Sequence, residues 1–178
     1  ILMTKSIFTN DDRLIEHRKL STYLIIATIP VIFAGLIFSN IIQQRIFSIS
    51  SIAISNLFFA VILLFAFLTR KSNKNLFQLT LYGALFIGIV QCFALIPGAS
   101  RSGTAITAAL LIGMNLKDSS KFSFMLGIPT ILGALVLLII EIQTLDITYN
   151  SMNLFIGFFV SMIFAFFTIK LFLDFVEK

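Results

Sequence analysis

The chain has 178 residues, of which 58% are hydrophobic and 12% charged, and its mean hydropathy is +1.04. Soluble domains are about one quarter charged and under half apolar, so this composition excludes a water-soluble globular protein. The formal net charge is +5, but Lys and Arg stand singly or in pairs beside apolar runs, which is typical of membrane topology signals and argues against a nucleic-acid partner.

Four apolar runs approach the roughly 20 residues that a helix needs to cross a hydrocarbon core. We predict four membrane spans in one membrane domain, at about residues 20–38, 52–68, 121–140 and 153–173. Lys and Arg alternate between rich and poor connecting segments, which places the segments around Lys74 and Lys117 and both termini inside. The sequence therefore predicts an all-α, polytopic integral membrane helical bundle.

A segment of different character lies between the second and third spans, at about residues 79–114, and its centre is PGASRSG, residues 97–103. Pro and two Gly argue against an uninterrupted helix there. The returning arm, Thr104–Met114, would be about 16 Å long as a helix, too short to cross. Because both ends are predicted inside, we expect a re-entrant helical hairpin whose apex faces a cavity open to the outside.

Arg101 is the most informative residue, because an arginine in the membrane is costly and indicates a functional site. Ser100 and Ser102 beside it offer hydroxyl groups, and a helix N-terminus follows. Guanidinium, hydroxyls and helix N-terminus together favour binding of an anion. Phosphate is the expected ligand, because its oxygens match the two parallel donors of a guanidinium. We predict that Arg101, Ser100 and Ser102 are catalytic and that five further residues bind substrate: Gln91, Pro97, Gly98, Gly103 and Thr104.

Other polar residues predict less. Cys92 is the single cysteine and His17 the single histidine, so an intrachain disulfide and a site with two His ligands are excluded. We predict no metal ligand in this chain. Asn56, Ser123 and Ser161 are interpreted as interhelical hydrogen-bonding residues.

Two strings carry a resemblance to a known family: Gly88–Gly103, which contains PGASRSG, and Lys121–Pro129, KFSFMLGIP. They resemble the second half-site of the bacterial undecaprenyl-diphosphate phosphatases, the bacitracin-resistance family. The resemblance implies hydrolysis of undecaprenyl diphosphate to undecaprenyl phosphate and phosphate at the bacterial plasma membrane. This reaction recycles the lipid carrier for peptidoglycan synthesis.

The resemblance also implies an inverted repeat with two re-entrant hairpins meeting at one site. Arg101 would hold the diphosphate, Ser100 and Ser102 would hydrogen-bond it, and Gln91 would stand where the other half-site has an acidic residue. A divalent cation, Mg²⁺ or Ca²⁺, is implied as well. The first half-site and the last helix of the family have no counterpart here, so the chain is interpreted as a fragment whose cation ligands and nucleophile lie elsewhere.

Two other classes stay open at this point. A lipid-carrier flippase or transporter would also use a broken helix at mid-membrane, and a membrane scaffold would need no chemistry at all. The phosphatidate-phosphatase type is excluded, because it needs a His after its Ser-Arg pair and no His follows His17. The oligomeric state is open too, a homodimer included.

Overall fold

The structure, a computed structural model, describes residues 15–38, 48–70, 74–144 and 151–177. The described residues are almost entirely helical, which confirms the predicted all-α class, and their only β-type pairing is a single bridge. The α-helices are α1 (Ile15–Ile37), α2 (Ile49–Thr69), α3 (Leu81–Gln91), α4 (Arg101–Leu111), α5 (Leu116–Thr144) and α6 (Ser151–Glu177), with short 3-10 helices at Leu76–Gln78 and Cys92–Leu95.

Four of these helices are long and apolar enough to cross a membrane: α1, α2, α5 and α6. Each predicted span falls on one of them, and the membrane boundaries themselves stay predictions. The connecting segments used for the topology at residues 39–47 and 145–150, like most of the basic N-terminal segment, lie outside the described residues.

The chain forms two compact units, residues 1–132 and 133–178. In the second unit the described side chains of α6 are nearly all exposed and mostly apolar, as expected of a lipid-facing helix. The first unit holds a buried core contributed by α1, α3, α4 and the beginning of α5.

Helix α4 is the most enclosed element of the first unit. Its residues from Thr104 to Leu110 are all buried. Most of them are small, which lets neighbouring helices approach closely. Helix α3 packs beside it and also packs on α1, where a Cβ at Gly88 would collide with the backbone of Ala27.

Helices α3 and α4 form a hairpin whose two ends meet. The main chain of Lys74 donates to the Gly113 carbonyl at 3.0 Å and accepts from the Asn115 N–H at 3.1 Å. The Lys74 ammonium also donates to the Ile112 carbonyl, 3.1 Å away.

Asp118 holds the same two hairpin ends together. Its carboxylate accepts from the main-chain N–H of Leu76 at 3.2 Å and from the Asn115 amide at 2.8 Å. The chain therefore goes out along α3 and returns to its starting point along α4, as the sequence predicts, while its re-entry into a membrane stays a prediction.

Candidate functional site

The candidate site lies at the N-terminus of α4, at the tip of the hairpin. Ser100 is the N-cap, with an extended backbone and a side-chain oxygen that accepts from the Gly103 N–H at 3.2 Å. The Ser102 hydroxyl lies 3.3 Å from the Ser100 hydroxyl. The N–H groups of Arg101 and Ser102 belong to the first turn and have no acceptor within the helix. Two hydroxyls and two main-chain donors are therefore gathered at one helix end.

Arg101 adds the positive charge to this group of donors. Its side chain is exposed, and the guanidinium makes no hydrogen bond or ion pair with another of the described residues. An unpaired guanidinium in an apolar chain is costly unless it meets an anion or water. The helix dipole also favours negative charge at this end of α4. The arrangement therefore suits a phosphate group.

The turn before Arg101 is fixed by its packing on α2. Gly98 has a φ of 98°, a left-handed conformation that glycine adopts at little cost. A Cβ at Gly98 would collide with the Ile52 carbonyl and lie 3.1 Å from the Ser55 Cβ. Gly98 therefore brings the turn close to α2, a structural role that the sequence did not reveal. Its contact with substrate, and that of half-buried Pro97, stay predictions.

The next two predicted substrate-binding residues support the helix end. A Cβ at Gly103 would lie 3.1 Å from the Ser100 Cβ, so the glycine leaves room for the serine cap. Thr104 is buried, and its hydroxyl donates to the Arg101 carbonyl at 2.9 Å. Both residues shape the turn around Arg101. Thr104 has its hydroxyl already engaged, which weakens its prediction as a direct ligand.

Gln91 stands apart from this group in its hydrogen bonding. It is 1% exposed and shares a face of α3 with Gly88, the residue that lies against α1. Its side-chain oxygen has no hydrogen-bond partner in the described part of the chain. None of the hydrogen bonds of Ser100, Ser102 or Thr104 goes to Gln91. Its role toward substrate stays a prediction. The buried side-chain oxygen of Gln91 still lacks a hydrogen-bond donor among the described residues.

Helix α5 contacts the site from the side. The Ser123 hydroxyl donates to the Ser102 carbonyl at 3.1 Å, which confirms the predicted interhelical role of Ser123. A Cβ at Gly127, one turn further along, would lie 3.8 Å from Nη2 of Arg101. Sequence reasoning missed Gly127, whose only signal was its place in the KFSFMLGIP string. For Ser161 the same prediction is wrong, because its hydroxyl donates within α6 to the Gly157 carbonyl.

The divalent cation implied by the resemblance does not fit the residues described here. Mg²⁺ and Ca²⁺ take oxygen ligands, usually with carboxylates among them. The described residues contain no group of three or more His, Cys, Asp or Glu side chains that could hold a metal. Asp118 is occupied at the other end of α4, about 16 Å along the helix from Arg101.

The fold and the site together define an integral membrane protein with a helical hairpin whose tip gathers an arginine, two serine hydroxyls and a helix N-terminus. The chain belongs to the family of the bacitracin resistance protein BacA, which it matches over residues 2–178.

Individual relatives of known name are similar to this chain over most of its length. The chain is 39% identical over 166 residues to an undecaprenyl-diphosphatase of Saccharophagus degradans, covering 92% of this chain and 61% of that protein. It is 38% identical over 170 residues to the undecaprenyl-diphosphatase of Pelagibacter ubique, covering 92% and 64%. For that of Campylobacter concisus the identity is 39% over 152 residues, covering 85% and 57%. The chain thus spans about three fifths of the length of these relatives.

Proposed function

We propose that the full-length protein hydrolyses undecaprenyl diphosphate to undecaprenyl phosphate and inorganic phosphate. One observation carries the proposal: the exposed guanidinium of Arg101 lies unpaired among the described residues, at a helix N-terminus beside two serine hydroxyls. Relatives that share this region are named undecaprenyl-diphosphatases. A diphosphate has the charge and the number of oxygens that such a cluster of donors would bind.

The residues of this chain act by holding the diphosphate and stabilising its charge. The planar guanidinium of Arg101 donates to two phosphate oxygens at once, and the main-chain N–H groups of Arg101 and Ser102 reach a third. The hydroxyls of Ser100 and Ser102 add neutral donors. Hydrolysis breaks the bond between the terminal phosphorus and the bridging oxygen, while water supplies the new oxygen. Fixed donors lower the barrier because charge moves among the oxygens they already contact.

The location of the reaction belongs to the same proposal. We place the protein in the bacterial plasma membrane, with the hairpin tip open to the extracytoplasmic side and the hairpin ends inside. The three bacterial relatives named above and the distribution of Lys and Arg support this placement. Recycling of the lipid carrier for peptidoglycan synthesis would follow, and so would bacitracin resistance. A divalent cation would take its ligands from outside the described residues.

The test is phosphate release by the purified full-length protein from undecaprenyl diphosphate in detergent. We expect steady turnover that Arg101→Ala nearly abolishes. Arg70→Gln is the matched control, since Arg70 stacks on Phe67 at the end of α2, 4.2 Å from the ring centre, and has no contact with the anion site. If the protein moved the lipid across vesicle membranes without releasing phosphate, the proposed hydrolysis would be wrong and the flippase would be the better interpretation.

A further inference from the structure

Ser123 makes a hydrogen bond that sets it apart from other hydroxyl residues in the helices. Serine and threonine in a helix commonly donate to the carbonyl four residues earlier. Ser21, Thr28, Thr69, Thr107 and Thr130 all do so here. Ser123 is 4% exposed and donates to α4 instead, at the Ser102 carbonyl. Its hydroxyl therefore links two helices, whereas the other five hydroxyls bond within their own helix.

The acceptor of this bond belongs to the first turn of α4. A helix end is held by fewer main-chain hydrogen bonds than a helix middle, so it frays more easily. Ser102 directly follows Arg101, and its carbonyl can accept from Ser123 with its second lone pair. The bond from α5 therefore restrains the part of α4 from which the Arg101 side chain departs.

Gly127 continues the same face of α5, because residues four apart on a helix lie one above the other. The distance of 3.8 Å from its would-be Cβ to Nη2 of Arg101 is an ordinary van der Waals separation. The guanidinium thus lies along a part of α5 that has no side chain. Ser123 fixes the main chain beside Arg101, and Gly127 leaves space for its charged end.

We propose that Ser123 is a positioning residue, which orients Arg101 for binding the diphosphate by holding the first turn of α4 against α5. This inference rests on the proposed function for its substrate and deepens it by one residue. Ser123 itself touches no substrate. Loss of its hydroxyl should therefore act through Arg101, which distinguishes it from a loss of general stability.

The experiment compares Ser123→Ala, Ser123→Thr and Ser120→Ala in the full-length protein. Ser120 is a matched control, since it lies in the same helix, is 0% exposed and has a hydroxyl without a partner among the described residues. We expect Ser123→Ala to lower kcat about tenfold, the order that one buried hydrogen bond gives. Ser123→Thr keeps the hydroxyl and should recover most of it, and Ser120→Ala should match the unaltered protein.

A second comparison asks whether Ser123 acts through Arg101. In an Arg101→Ala background, Ser123→Ala should cost almost nothing more, because the group that it positions is gone. An equal loss in both backgrounds would overturn the proposal, and so would unchanged kcat in Ser123→Ala.

A third measurement keeps this inference separate from the proposed activity. Phenylglyoxal modifies exposed arginine, and mass spectrometry gives its rate at Arg101 alone. We expect Ser123→Ala to raise that rate severalfold and Ser123→Thr to leave it near the original value. If the unaltered protein released no phosphate, the proposed function would fail while this rate still decided the role of Ser123. An unchanged rate in Ser123→Ala would refute the positioning role.

Discussion

Gly98 lies so close to the carbonyl oxygen of Ile52 that no side-chain carbon fits between them. The turn that leads into α4 is therefore packed against the backbone of α2, and Gly98 meets two demands at once. It must adopt a φ of 98°, and it must present no Cβ to the neighbouring helix.

Gly98→Ala should destabilise the protein for both reasons. Strained backbone of this kind costs about 1–3 kcal/mol, and the collision with α2 adds to it. Thermal unfolding in detergent measures the effect as a lower midpoint, accompanied by lower activity. Gly35→Ala is the control, because nothing lies within 4 Å of a Cβ at that helical position; it should be neutral or slightly stabilising. Equal midpoints for the two variants would contradict the packing role.

Arg101→Lys distinguishes a planar donor from a point charge. Lysine keeps the charge but loses the two parallel N–H donors of the guanidinium. We expect it to be nearly as damaging as Arg101→Ala, with a loss of about 2.7–4 kcal/mol in the barrier or about a hundredfold to a thousandfold in kcat. Phosphate release by the full-length protein gives the rates, and gel filtration in detergent checks folding. Wild-type turnover in Arg101→Lys would show that charge alone suffices.

Substitution of Ser100 and of Ser102 should change stability by different amounts but reduce activity to a similar degree. Ser100→Ala removes both a hydroxyl donor and the helix cap, so it should cost about 1 kcal/mol of stability as well as activity. Ser102→Ala removes a hydroxyl whose one contact in the described structure is Ser100, and it should leave the unfolding midpoint almost unchanged. Each should reduce kcat less than Arg101→Ala, since the charge remains.

Ser100→Gly tests this separation further. Glycine caps a helix nearly as well as serine, so the midpoint should recover while the activity loss persists. Full recovery of activity in Ser100→Gly would mean that the Ser100 hydroxyl serves only as a cap.

The hairpin topology can be tested with cysteines at its two ends. In a Cys92→Ser background, Asn75→Cys and Lys117→Cys are exposed positions on either side of the paired Lys74 and Asn115. A membrane-impermeant maleimide should label both only from the cytoplasmic side, in inverted vesicles. Labelling of the two from opposite sides would exclude a re-entrant hairpin.

Sequence reasoning located the hairpin and the polar residues at its tip, because both depend on local signals. Pro97 and the glycines interrupt an apolar run, and Arg101 stands within it, so neither observation needs the tertiary structure. The helix N-terminus predicted beside Arg101 follows from the same interruption. These features could be predicted because short-range rules determine them.

Contacts between helices could not be predicted in the same way. The sequence does not say that Gly98 meets Ile52, that Gly88 meets Ala27, or that Gly127 lies beside Arg101, since each depends on how distant segments pack. Ser123 and Ser161 look alike as serines in apolar helices, yet one bonds another helix and the other its own. Only the neighbouring backbone decides which acceptor lies within reach.

The joined ends of the hairpin have a consequence for its assembly during synthesis. Lys74 pairs with main-chain groups of Gly113 and Asn115, so the segment between them forms a closed loop with both ends held together. We expect such a loop to insert into the bilayer from one side as a single piece, without transfer of any long polar segment to the other side. Arg101 is the single formally charged residue between Lys74 and Asn115. We therefore expect one guanidinium to set most of the barrier to insertion, at about 2.5–3.5 kcal/mol on translocon scales.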